Sequence, residues 1–74
     1  MPRMNHHVFA IIMDYIYSFQ QGCRTPELLD YLNSYTNEDY TYGQVYGILD
    51  YYVKQFPHRL RKVYIGRYVA WQAQ

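Results

Sequence analysis

A single cysteine, Cys23, and a C-terminal third without one acidic side chain are the scarcest features of this 74-residue chain. One cysteine cannot close an internal disulfide, which excludes a disulfide-stapled secreted scaffold and suits a reducing compartment, so a cytoplasmic location is expected. Long apolar runs are missing as well. The longest near the N-terminus, Val8 to Met13, stops at Asp14 and falls far short of the ~20 residues that span a bilayer, so no membrane partner is expected and no targeting segment is evident. Metal-ligand spacing is absent: His6 and His7 are adjacent instead of four apart, and Cys23 has no CxxC partner. No nucleophile with its base, carboxylate pair or phosphate loop stands out. Neither catalysis nor a cofactor is therefore expected.

What is present is charge sorted along the chain. Residues 1 to 50 hold two basic and six acidic groups, 2 − 6 = −4, whereas residues 51 to 74 hold Lys54, Arg59, Arg61, Lys62 and Arg67 and no acid, +5. The net +1 hides a basic end, of the kind that can lie on a phosphate backbone. Eleven tyrosines add rings with polar tips. Such aromatic content belongs to a globular chain, and the length fits one domain, residues 1 to 74, with a modest core that a second subunit would help.

From Asn5 to Gln21, Val8, Ile12, Tyr15, Ile16 and Phe19 recur at helical spacing, Phe9 and Ile11 widen the stripe, and Gly22 stands where a C-cap belongs. So broad an apolar surface predicts a first helix that covers the core on one side and a second copy on the other, hence a homodimer. Thr25-Pro26-Glu27 offers a cap, a first-turn proline and a dipole-complementing acid for a second helix running to about Asn33, with Leu28, Leu29 and Leu32 inward. The polar stretch Ser34 to Tyr40 reads as a turn. Thr41-Tyr42-Gly43-Gln44 matches a capping box, and Val45, Ile48, Leu49, Tyr52 and Val53 make the inward stripe of a third helix that Pro57 ends. Its outer side carries Gly43, Gln44, Gly47, Asp50, Tyr51 and Lys54. Arg61 to Ile65 and Tyr68 to Gln72 read as strands joined by the two-residue link Gly66-Arg67, a type II′ hairpin that pairs Ile65 with Tyr68 and Val63 with Ala70. Both hairpin faces are partly apolar, so either could be the buried one.

The order helix, short helix, turn, capped helix, β-hairpin resembles the winged helix-turn-helix superfamily from about Asn5 to Gln72. The stretch Thr41-Tyr42-Gly43-Gln44-Val45-Tyr46-Gly47-Ile48-Leu49-Asp50-Tyr51-Tyr52 looks like the third helix of small PadR- or MarR-like transcription regulators. The resemblance implies an α+β fold of three helices followed by a C-terminal hairpin, and a double-stranded DNA partner. It further implies that Thr41, Tyr42, Gln44, Gly47, Tyr51 and Lys54 face the major groove and that Arg67 at the wing tip meets phosphate. Arg59 and Arg61 join them as basic candidates. A stand-alone regulator of this size resembles those of viruses and mobile elements. Glu38, Asp39 and Asp50 depart from the pattern, because a DNA reader is usually neutral or basic there. The alternative they support is a module that uses the same shape to bind, sequester or inhibit another protein.

Overall fold

The computed structural model describes residues 6–19 and 21–74. Three helices, α1 (His6–Tyr17), α2 (Thr25–Thr36) and α3 (Tyr42–Gln55), precede an antiparallel hairpin of β2 (Leu60–Ile65) and β3 (Tyr68–Ala73). The expected α+β layout is therefore present. A two-residue strand that the sequence did not suggest, β1 (Cys23–Arg24), pairs antiparallel with the far edge of β3 and gives a sheet of order β1-β3-β2. Cys23 lies opposite Trp71 and Arg24 opposite Ala70.

α1 is shorter than its apolar periodicity indicates. It ends at Tyr17, and the chain leaves through tight turns in which the Ser18 and Phe19 amides bond the Tyr15 and Ile16 carbonyls at 3.1 and 3.0 Å. Gly22 thus serves as no helix cap. Its φ of 106° and an approach that would set a Cβ 3.3 Å from the Ala70 Cβ make it the point where the chain comes closely against β3. Phe19, expected inward, is exposed, whereas Val8, Phe9, Ile11, Ile12, Met13 and Ile16 are all buried. The breadth of the α1 stripe is consumed by the core, so the surface that suggested a second copy against this helix is not free. Asn5 lies outside the described residues.

α2 begins as expected but lasts three residues longer, because Asn37 adopts a left-handed C-cap (φ 58°, ψ 35°) whose amide bonds the Asn33 carbonyl. The Asn33 side chain then clasps the Tyr40 backbone on both sides, donating to its carbonyl at 3.1 Å and accepting from its amide at 2.8 Å. That clamp fixes the short link into α3. Thr25 is not the cap of α2, since the cap position is Arg24 and no side chain fills it. The Thr25 hydroxyl instead accepts a 2.8 Å bond from the Trp71 indole N–H, both groups being buried.

The hairpin has the expected register, Ile65 opposite Tyr68 and Val63 opposite Ala70. Gly66 takes φ 61° while Arg67 keeps a negative φ, as a type II′ turn requires. Alternation along the strands puts Leu60, Lys62 and Tyr64 on one face with Trp71 and Val69, and this is the face that packs on the helices. Arg24, Arg61, Val63, Ile65 and Tyr68 share the other. Leu28 and Leu32 of α2, Val45, Leu49 and Tyr52 of α3, and Leu60 and Trp71 of the sheet complete the core.

Because the Trp71 N–H has its partner only in Thr25, Thr25→Val leaves a buried donor unsatisfied and should destabilise the fold by about 1 to 3 kcal/mol. Thr25→Ser keeps the hydroxyl and should recover most of that loss. Urea unfolding of the three proteins measures the difference.

Candidate nucleic-acid interface

The third helix begins with the reciprocal cap that its sequence encodes. The Gln44 amide donates to the Thr41 hydroxyl at 3.2 Å, and the Thr41 amide donates to the Gln44 carboxamide oxygen at 2.9 Å. Two otherwise orphaned amides are satisfied this way. The Gln44 oxygen is engaged in the cap, so the two-bond pairing of a glutamine with adenine would require breaking it. Gln44 is thereby a positioning residue of the helix start.

Between Tyr42 and Lys54 the outer side of α3 is unobstructed. A Cβ added at Gly43 or Gly47 would meet nothing within 4 Å, so a bare strip of helix backbone is open to close approach. Tyr42 and Tyr46 stack along its edge with centroids 6.3 Å apart, and Tyr51 stands exposed further along. Asp50, which the sequence presented as a lone exposed acid, is ringed by cations: Lys54 Nζ lies 3.2 Å away and Lys62 Nζ 3.8 Å away. The cluster is net positive, two lysines against one carboxylate.

Lys62 is the residue that joins the hairpin to α3. Its ammonium donates to the Tyr46 hydroxyl at 3.0 Å and lies over the Tyr46 and Trp71 rings at 5.2 and 5.7 Å. The Tyr46 bond, with smaller help from Tyr64 and Asp50, raises its pKa above the usual lysine range against the opposing effect of burial. It holds charge, and the hairpin, in place beside the helix.

The other cations are scattered. Arg59 lies over the Phe9 ring of α1 at 5.1 Å. Arg61 donates from Nε to Gln72 Oε1 at 2.8 Å on the outer sheet face. Neither contacts the α3 side. Arg67 projects from the hairpin tip and is the one cation with no hydrogen bond, ion pair or ring contact among the described residues. Tyr64, Ile65 and Tyr68 beside it are 72%, 53% and 53% exposed. Arg24, not singled out in the sequence, joins this end because β1 carries its guanidinium over the Tyr68 ring at 3.9 Å. Only the pairing of β1 with β3 brings the two together, and a two-residue strand leaves no periodic trace. Of the candidates, then, Thr41, Tyr42, Gly47, Tyr51 and Lys54 share the α3 side with Lys62, Gln44 is occupied, Arg67 stands at the tip, and Arg59 and Arg61 lie elsewhere.

Among the described residues no three His, Cys, Asp or Glu side chains converge to hold a metal, and no helix is long and apolar enough to cross a membrane. Cys23 is buried on the helix-facing side of the sheet, opposite Trp71. Burial, with a smaller push from the Glu27 carboxylate, lifts its pKa from 9.0 to about 11. No family model, no curated protein and no solved structure matches the chain.

Alanine at Gly43 or at Gly47 enters open space on a helix, and each substitution should stabilise the protein by about 0.8 to 1 kcal/mol in urea unfolding. The Cys23 thiol should resist a soluble disulfide reagent until the protein unfolds. From about pH 9 the unfolded chain releases the thiol proton that the folded chain keeps to about 11. Stability relative to Cys23→Ala should therefore be flat below that window and fall as pH rises through it.

Proposed function

We propose that the protein is a winged helix-turn-helix binder of double-stranded DNA that lays the bare outer side of α3 against the duplex and sets Arg67, at the tip of the hairpin, on phosphate. The observation that carries this reading is the open Gly43–Gly47 strip, beside which Lys54 and Lys62 surround Asp50. A duplex needs close approach and cationic flanks, and the open strip has Lys54 on the same helix and Lys62 beside it on β2. Tyr42 and Tyr51 supply polar tips toward base edges, and the Thr41 cap leaves the helix start, with its partial positive charge, pointing outward. Arg59 and Arg61 drop out of the contact set. The protein would act inside the cell as a regulator of transcription, where its lone cysteine stays reduced.

A second reading, favoured by the exposed Tyr64, Ile65 and Tyr68, is a module that captures a protein partner through the hairpin end. Asp50 gives it little support, being already paired with two lysines.

Selection from a pool of random duplexes, repeated at low and high salt, tests the proposal. A bound motif should emerge, with a slope of log affinity against log salt of about −2 for phosphate contacts by Lys54 and Arg67. Arg67→Glu should weaken binding and flatten that slope by about one. Gly47→Leu is the sharper variant: the helix should remain folded while affinity drops about tenfold, equivalent to about 1.4 kcal/mol. Absence of any duplex affinity at low salt would overturn the proposal in favour of the protein partner.

A further inference from the structure

The end of α1 and the start of α2 leave an open groove of about 480 Å³ lined by Tyr15, Phe19, Gln21, Gly22 and Glu27. Its walls are aromatic: the Tyr15 and Phe19 rings lie 4.8 Å apart, and Tyr31 continues the row 4.6 Å beyond Tyr15. Its charge is negative. Glu27 and Asp30 lie near enough to Tyr15 to add to the burial that keeps its phenol protonated, and Asp14 accepts from the Tyr31 hydroxyl at 3.5 Å. Glu27 has no ion-pair partner among the described residues, and Phe19 is 47% exposed.

The hairpin tip is the converse of this groove. It protrudes, it bears the unpaired Arg67, and Ile65 and Tyr68 flank that cation with surface that is about half exposed, although the Arg24 guanidinium lies over the Tyr68 ring. An arginine suits a site of this kind, since its guanidinium stacks on aromatic rings and pairs with a carboxylate at once.

We propose that the groove receives the hairpin tip of a second copy of the chain, with Arg67 of one molecule between Tyr15 and Phe19 and paired to Glu27 of the other. The charge complementarity is internal to the sequence, the acids lying in its first fifty residues and the tip in its acid-free last third. Knob and hole are also neighbours on one molecule. Gly22, which lines the groove, packs against Ala70, three residues along β3 from Arg67. A surface that carries both parts side by side can dock reciprocally, tip into groove twice, and close as a two-fold dimer, the commonest symmetry among oligomers. Two small contacts of opposite charge make such a dimer weak and salt-sensitive.

The assembly goes beyond DNA binding and does not depend on it. It competes with it, because one Arg67 cannot occupy both phosphate and groove, so rising protein concentration withdraws the hairpin tip from the duplex.

Sedimentation equilibrium of the full chain at about 0.01 M and about 1 M salt decides the matter. At low salt the mass should rise with concentration from one chain of 9.1 kDa toward twice that, and high salt should reverse it. Glu27→Lys and Arg67→Glu should each lower the association constant about tenfold or more. The combined variant should recover it, the exchanged charges facing each other again, and that recovery also shows that both single variants fold. A single-chain mass at every concentration, single substitutions without effect, or a double variant that fails to recover would each overturn the proposal. Duplex titrations separate it from the DNA reading: Glu27→Lys should lose assembly and keep DNA affinity, whereas Arg67→Glu loses both.

Discussion

The bond from the Trp71 indole to the Thr25 hydroxyl is the constraint on which the arrangement of this small protein rests. Trp71 is the largest fully buried side chain and sits on the middle strand of the sheet. Burying so large a ring contributes much of what a chain this short can gain from its core, on condition that the N–H is satisfied. The hydroxyl that satisfies it stands at the first residue of α2, directly after β1. One contact therefore orients the sheet, sets the start of the second helix and makes the short β1 pairing part of the fold. From the same ring, Tyr46 makes an edge-on contact at 5.3 Å and Lys62 a cationic one. The geometry of α3 against the hairpin follows from them.

Local signals were legible where a single backbone requirement selects the residue. The Thr41–Gln44 box and the Gly66-Arg67 link are of that kind, and the start of α3 and the register of the hairpin match the sequence expectation. Signals that depend on partners distant in sequence were not. Thr25 has the chemistry of a cap, yet its hydroxyl is drawn to a tryptophan forty-six positions away. Ser34 to Thr36 look like turn residues, yet they complete α2, because the left-handed Asn37 and the Asn33 clamp postpone its end. The hairpin showed two half-apolar faces, and only the tertiary position of Trp71 decides between them.

Charge gave the plainest lesson of this sort for the candidate site. Five cations crowd the last twenty-four residues, and strand alternation by itself already keeps Arg61 and Lys62 off one common surface. What the sequence does not reveal is that Arg59 turns back to α1. Conversely, Asp50 read as an unfavourable acid on a recognition surface and is in fact the anchor of two lysines. The broad stripe of α1 likewise reads as room for a partner, although the core takes up both of its flanks.

Lys62 carries one more implication. β2 is the longer of the two edge strands of the sheet, six residues against two in β1, and such margins are where β proteins polymerise when another strand lays itself alongside. A cation turned inward halfway along that margin, already committed to a phenol and a carboxylate on the neighbouring helix, twists and charges the ladder that an incoming strand would have to match. The same ammonium that braces the hairpin thus opposes the addition of a further strand at this edge.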